Sequence, residues 1–209
     1  MKVAISGASG FVGSFLCEYF SKQGYEVSKI GIRDFDGGLA KKLEGAELVI
    51  NLAGAPIIGR WSGEYKKILV SSRLDTTSKL SDAVCAMQVK PKAFFCASAV
   101  GYYAEGDNDE YSYKKADDFL GELCERWEEA ARAVEPCGVK CVNMRFGIVI
   151  GKNGGALSQM LPIFKAGLGG KIGSGKQGFS WIHLHDLARA IDFIYKKELS
   201  GVFNFTRSE

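Results

Sequence analysis

No stretch of the chain approaches the roughly 18 consecutive apolar residues that mark a membrane-spanning helix. Met1-Lys2 leads directly into a strand-like run, without the charged, apolar and small-residue segments of a secretory leader. These two absences predict a soluble cytoplasmic protein with no membrane partner. No block of Lys or Arg stands out, and a net charge of +3 over 209 residues gives no expectation of a nucleic-acid partner. Histidine is scarce. His183 and His185 lie two residues apart with no third ligand nearby, so no metal site is expected. The six cysteines (Cys17, Cys85, Cys96, Cys124, Cys137, Cys141) form no C-x-x-C pair and mostly fall in apolar runs. We expect reduced core thiols rather than disulfides or zinc. Internal repeats and low-complexity linkers are also missing.

What remains is an alternation of strand-like and helix-like segments. Strands are expected at 3–5, 27–32, 48–53, 93–97, 139–146 and 202–205. Helices are expected at 11–22, 39–43, 62–87, 119–134, 157–165 and 186–197. The strands at 48–53 and 93–97 are near-continuously apolar, as in strands buried on both faces. With helix-length crossovers between them, the fold class is α/β: a doubly wound parallel sheet, read as one domain over 1–209. About a dozen residues separate the second strand from the third, too few for another strand and helix. The sheet is therefore expected to be one strand short after the second strand.

The first strand runs into Gly7, Gly10 and Gly13 in a G-x-x-G-x-x-G pattern that opens a helix. Gly7 permits the tight turn, Gly10 admits a pyrophosphate close to the backbone, and Gly13 lets helix and sheet pack. The free N–H groups of the helix N-terminus then face the phosphates. A dinucleotide cofactor is the expectation. At the end of the second strand, Arg33 precedes Asp34; an Arg there accommodates a 2′-phosphate, which predicts NADP in preference to NAD. Leu52, Ala53 and Gly54 close the third strand, where small residues allow a cofactor to approach. Ser98 ends the fourth strand, where a hydroxyl can polarise a substrate carbonyl. Arg60 and Arg73 are open to a phosphate-bearing substrate or to local carboxylates such as Asp75.

Taken together, S-G-A-S-G-F-V-G (6–13), N-L-A-G-A-P (51–56), R-W-S (60–62), S-S-R-L-D-T-T (71–77), S-A-V-G-Y-Y (98–103), W-E-E-A-A (127–131) and W-I-H-L-H-D-L-A (181–188) resemble the short-chain dehydrogenase/reductase superfamily. More narrowly, with G-G-A-L (154–157) and G-L-G-G (167–170), they resemble its atypical branch of NAD(P)-dependent, epimerase-like proteins. The resemblance implies a Rossmann domain with Gly7, Ser9, Gly10, Phe11, Val12 and Gly13 around the pyrophosphate. It places Leu52, Ala53 and Gly54 on the adenosine side and Phe146-Gly147 toward the nicotinamide. It also implies a small C-terminal substrate-binding extension, which the chain is expected to lack. The implied activity is oxidoreductase or epimerase chemistry on a small polar substrate such as a nucleotide sugar, compatible with a homodimer. The competing reading is a catalytically weak NADP(H)-binding regulatory or redox-sensing module.

The superfamily's acid–base pair is Tyr-x-x-x-Lys on a helix, the lysine helping the tyrosine release its proton. Tyr111 and Lys115 have that spacing, but in a short polar stretch ahead of the strong helix. Aligned on Trp127-Glu128, the usual positions carry Phe119 and Leu123. Of the two readings, a coincidence of spacing is preferred for Tyr111 and Lys115. Ser98 occupies the superfamily's serine position, and Tyr102 and Tyr103 are the alternative acid–base candidates. Trp181 to His183 is read as a pocket edge, with Asp186 capping the next helix. Lys171 to Gln177 is read as a solvated turn.

Overall fold

The computed structural model describes residues 1–152, 154–171, 173–175 and 178–207. Of the basic, glycine-interleaved turn, residues 172, 176 and 177 lie outside the described residues.

Among the described residues, eight strands and six α-helices follow in the order β1 (Lys2–Ser6), α1 (Phe11–Lys22), β2 (Glu26–Ile30), α2 (Leu39–Leu43), β3 (Leu48–Asn51), α3 (Gly63–Ala86), β4 (Ala93–Ala99), α4 (Phe119–Arg132), β5 (Lys140–Phe146), β6 (Ile148–Gly151), α5 (Gly155–Lys165), β7 (Trp181–His183), α6 (Leu184–Lys196) and β8 (Gly201–Phe205). Six strands form one parallel sheet in the order β2-β1-β3-β4-β5-β8. From β2 the chain crosses back over β1 to lay down β3 on its far side. Among the described residues no strand pairs with the outer edge of β2, and the doubly wound sheet is one strand short there.

Helices cover both faces, and alternation along each strand divides the core accordingly. Val3, Ile5, Leu48, Ile50, Phe95, Val142 and Met144 pack against Leu16 and Phe20 of α1 and Leu187 and Ile191 of α6. Their neighbours Ala4, Val49, Phe94, Cys96 and Cys141 pack against Leu39 and Leu43 of α2, Leu80 and Val84 of α3 and Trp127 and Ala131 of α4. Because every strand runs the same way, all carboxyl ends share one edge, where open α/β sheets bind ligands.

Local chemistry sets the helix starts. Ser62 Oγ accepts from the Tyr65 N–H at the start of α3, and Asp118 accepts from the Gly121 N–H at the start of α4. The cap of α6 is His183, whose Nδ1 accepts from the His185 N–H at 3.3 Å; Asp186, expected there, lies in the first turn instead. Two further differences from the sequence reading stand out. Ile32 to Asp36, expected partly as strand, is a short 3₁₀ helix, because Asp34 accepts from the Gly31 N–H at 2.7 Å and turns the chain early. Residues 148–151 and 181–183 pair as a small parallel ribbon, too short to leave a periodic signal.

The cysteine expectation is overturned at one pair. Cys17, Cys96, Cys124 and Cys141 are free and buried, but Cys85 and Cys137 form a disulfide with their Cα atoms 5.6 Å apart. The two are 52 residues apart in sequence and meet because α3 packs along α4. Spacing along the chain carries no trace of such a contact.

Candidate functional site

The cradle begins where β1 stops. Gly7 has φ +68°, and a Cβ there would stand 2.7 Å from the Leu52 carbonyl oxygen, so only glycine fits the turn. A Cβ on Gly13 would overlap the Gly7 carbonyl, which is how closely α1 is drawn onto the loop. Gly10 is different. It is exposed, its N–H is tied to the Gly7 carbonyl at 3.0 Å, and it precedes α1 without a side-chain cap. The first-turn N–H groups of Phe11, Val12 and Gly13 are thus left for another acceptor at the positive end of the helix. Ser9 is exposed beside them. Donor groups, positive field and lack of side chains together fit a pyrophosphate.

Phe11 has a second task. A Cβ on Gly154 would overlap its ring, and one on Gly155 would come within 2.7 Å of it. The G-G-A-L segment therefore makes room for this aromatic side chain, joining the start of α5 to the cradle.

At the end of β3, Asn51 is fully buried and saturated. Its Oδ1 accepts from Ser6 Oγ, and its Nδ2 donates to Thr77 Oγ1 at 2.7 Å; Thr77 in turn accepts from Trp127 Nε1 at 2.9 Å. The Ala53 N–H also reaches Asn51 Oδ1, at 3.3 Å. This network sets where Leu52, Ala53 and Gly54 leave the sheet. Gly54 is packed from the α3 side: a Cβ would sit 3.1 Å from Cζ of Arg73. Arg73 donates to the Ala55 carbonyl at 2.9 Å and the Leu69 carbonyl at 3.1 Å, and its guanidinium lies 5.2 Å from the Trp127 ring. It forms no ion pair with Asp75 or any other described carboxylate, and burial pulls it down from the usual guanidinium range. Two of its five N–H donors are spent. The only buried side-chain N or O atoms lacking a partner among the described residues are Asn143 Oδ1 and Asp192 Oδ1.

The second part of the site crosses three strands. Ser98 on β4 is in register with Arg145 on β5, which is in register with Asn204 on β8. Ser98 and Arg145 are each about 3% exposed. Glu128 of α4, 2% exposed, joins them. It accepts from Ser98 Oγ at 2.7 Å and holds Arg145 in a fork, with Nε at 2.8 Å and Nη2 at 2.9 Å. The Nη1 of Arg145 donates to the Tyr103 hydroxyl at 2.8 Å, and that hydroxyl donates to Asn204 Oδ1 at 2.8 Å. Tyr102 lies beneath, its ring centroid 3.5 Å from the guanidinium. Burial, with the Tyr113 hydroxyl next, pushes the Tyr102 phenol up to about 12, so it stays protonated through the neutral range.

Ser98, Tyr102 and Tyr103 are thus brought together, joined by Glu128, Arg145 and Asn204, which the sequence reading did not single out. For Arg145 and Asn204 the signal was register, which lines them up with Ser98 near the ends of three adjacent strands; Glu128, on α4, carried no such signal. Tyr111 is 96% exposed, its N–H tied to Asp109 Oδ1. Lys115 pairs with Glu125, which holds it above the usual lysine range. Phe119 and Leu123 lie on α4. Arg33 is exposed on the 3₁₀ turn, while Asp34 is spent on Gly31 and Lys42. Phe146 packs edge-on against Phe205, and a Cβ on Gly147 would stand 2.8 Å from the Ser180 carbonyl, so this turn is closely packed. Among the described residues, no three His, Cys, Asp or Glu converge as a metal site, and no helix is long and apolar enough to cross a membrane.

A parallel sheet with its third strand laid down beside the first, and a glycine cradle at the shared edge, defines a dinucleotide-binding α/β protein. The chain belongs to the NAD dependent epimerase/dehydratase family, whose model matches residues 3–205. An epimerase family protein of Staphylococcus aureus is 37% identical over 220 residues, spanning 97% of this chain and 73% of the relative. A chloroplastic homologue of the epimerase family protein SDR39U1 from Arabidopsis thaliana is 34% identical, over 99% of this chain and 66% of its own length. The structure of human SDR39U1 (isoform 2) with NADPH superposes with a TM-score of 0.89 at 34% identity, covering 99% of this chain and 74% of the human one. The UDP-glucuronic acid 4-epimerase of Bacillus cereus, solved with UDP-glucuronic acid and NAD, shares the fold with a TM-score of 0.85 at 21% identity.

Proposed function

We propose that the protein binds NADP(H) and performs oxidoreductase or epimerase chemistry on a small polar carbonyl or hydroxyl compound such as a nucleotide sugar. The observation that carries this reading is that the uncapped cradle at α1 and the hydroxyl cluster at Ser98 and Tyr103 lie on the same edge of one sheet. The pyrophosphate would be held by the N–H groups of Phe11, Val12 and Gly13, with Leu52, Ala53 and Gly54 alongside. The Arg73 guanidinium, bonded to the Ala55 carbonyl, lies beside this loop. Arg33, exposed and without an ion pair among the described residues, is free to meet a 2′-phosphate, which favours NADP over NAD. When bound, the nicotinamide supplies or accepts a hydride.

The remaining chemistry is proton handling, and Tyr103 is best equipped for it. Its hydroxyl proton, now donated to Asn204, passes to a substrate oxygen while the Arg145 N–H keeps hold of the phenol oxygen. Glu128 fixes Arg145 in the plane that makes this contact. Ser98 has its proton committed to Glu128, so toward a substrate it offers only lone pairs and orients a substrate hydroxyl. Its commitment, with Phe119 and Leu123 at the usual tyrosine and lysine positions, favours as second reading an NADP(H)-binding module with weak catalysis.

Titration of NADPH and NADH into the protein tests the cofactor. Saturable micromolar binding is expected, tighter for NADPH by about tenfold, roughly 1.4 kcal/mol, and Arg33→Ala should close that gap. No saturable binding of either nucleotide overturns the reading. Loss of any measured turnover in Tyr103→Phe, with NADPH binding intact, separates the enzyme from the binding module.

A further inference from the structure

The Cys85–Cys137 disulfide lies at the opposite edge of the sheet from the cradle, between the C-terminal end of α3 and the turn that leads into β5. We propose that it is a reversible thiol–disulfide exchange site, opened by a dithiol reductant, that clamps the segment carrying Ser98, Tyr102, Tyr103 and Glu128.

Exposure and chemistry single out this pair. Both half-cystines are partly exposed, whereas the other four cysteines are buried. Burial pushes the Cys96 thiol up to about 12 and the Cys124 thiol up to about 11, and it raises Cys17 and Cys141 as well. None of the four offers a thiolate near neutral pH to attack the bridge from inside. Exchange must come from outside, where the bridge is open. The thiolate of an external dithiol attacks one sulfur, and the Cys85–Cys137 bond breaks as a mixed disulfide forms. The second thiol of the reductant then displaces the protein. The reductant leaves as its own disulfide, and the protein gains two electrons and two protons as two thiols.

What the bridge clamps follows from its place on α3. At four-residue spacing, one stripe of this helix meets α4 or the turn after it. Arg73 lies on the Trp127 ring, Thr77 accepts from Trp127, Ser81 Oγ donates to the Ala130 carbonyl at 3.0 Å, and Cys85 bonds Cys137. Only the last rung is covalent. The other three hold the seam without it, so the reduced protein stays folded and the bridge is free to open. Between residues 85 and 137 lie β4, Ser98, both tyrosines and all of α4 with Glu128. Closing that loop removes disorder from the unfolded chain and suppresses local opening of the seam.

The test uses the full chain, equilibrated natively in oxidised or reduced glutathione and in dithiothreitol. It is then quenched, denatured, alkylated and weighed intact. Four alkyl groups are expected after oxidation and six after reduction, the difference mapping to Cys85 and Cys137 and reversing on reoxidation. The oxidised form should melt about 5–10 °C higher. Its amides in the second half of α3 and in α4 should exchange more slowly. The double variant Cys85→Ser/Cys137→Ser should match the reduced wild-type protein in every buffer. Six alkyl groups after oxidation, a disulfide-linked dimer, four groups that native reductant leaves unchanged, or equal melting and exchange in both states would each overturn the proposal. The wild-type comparison decides even if a variant fails to fold. NADP(H) binding plays no part in these readouts, so they stand or fall apart from the cofactor titration.

Discussion

Arg145 and Glu128 are buried charges whose cost is met by one another and by the hydroxyls of Ser98 and Tyr103. Removing one charge leaves the other desolvated and alone, which typically costs about 3–5 kcal/mol. Glu128→Gln and Arg145→Met should each lower stability by about that amount in urea unfolding. The double variant should cost distinctly less than the two added together. Additivity would mean that the two charges do not support each other. Tyr102 gives a prediction in pH. Its phenol is raised to about 12 by burial, so between the ordinary tyrosine value near 10 and that value the folded state holds the proton more firmly than the unfolded chain. The associated stability is fully present below pH ~10 and is lost as pH rises toward ~12. Tyr102→Phe should therefore flatten part of the alkaline fall in melting temperature. An unchanged alkaline slope would place the proton loss elsewhere.

The elements themselves were readable because their signals are local. The apolar runs of β3 and β4, the helical spacing of α1 and the shortened link after β2 each depend on neighbours in the chain, and the sheet has the order they require. Ser98 and the glycine cradle were legible for the same reason, since a strand end and a turn are local features. Glu128, Asn204 and the Cys85–Cys137 bridge were not. Each acquires its meaning from a residue brought next to it by packing or sheet register, 17, 101 and 52 positions away respectively. The stripe on α3 combines both kinds of information: its four-residue period is local, its partner on α4 is not. Thr77 is the rung that reaches the sheet, accepting from both Asn51 and Trp127. Thr77→Val would remove the acceptor of the Trp127 indole N–H and one of the two acceptors of Asn51 Nδ2, leaving the latter only Cys96 Sγ. The expected cost is about 2–4 kcal/mol, together with weaker NADPH binding, because Asn51 also steadies the Ala53 N–H. A loss of stability with unchanged NADPH affinity would separate this network from the cofactor loop.

For the molecule as a whole, the cradle binds only when β1, α1 and the loop after β3 are all in place. Gly7 touches Leu52 and Gly13 packs on Gly7, so the unfolded chain retains none of the site. A ligand that binds only the folded state stabilises it by an amount set by concentration over dissociation constant, about 2.7 kcal/mol at a hundredfold excess. For a chain of this size that corresponds to a rise in melting temperature of about 5–10 °C. NADPH should produce that rise in thermal unfolding, and NADH at the same concentration a smaller one. Gly13→Ala, whose added methyl would push α1 away from the Gly7 carbonyl, should abolish the NADPH-induced rise and lower the unliganded midpoint by about 1–3 kcal/mol equivalent. A Gly13→Ala protein that melts lower yet keeps the full NADPH-induced rise would show that the close seating of α1 supports the fold alone. The dinucleotide would then have to be sought at another part of the carboxyl edge.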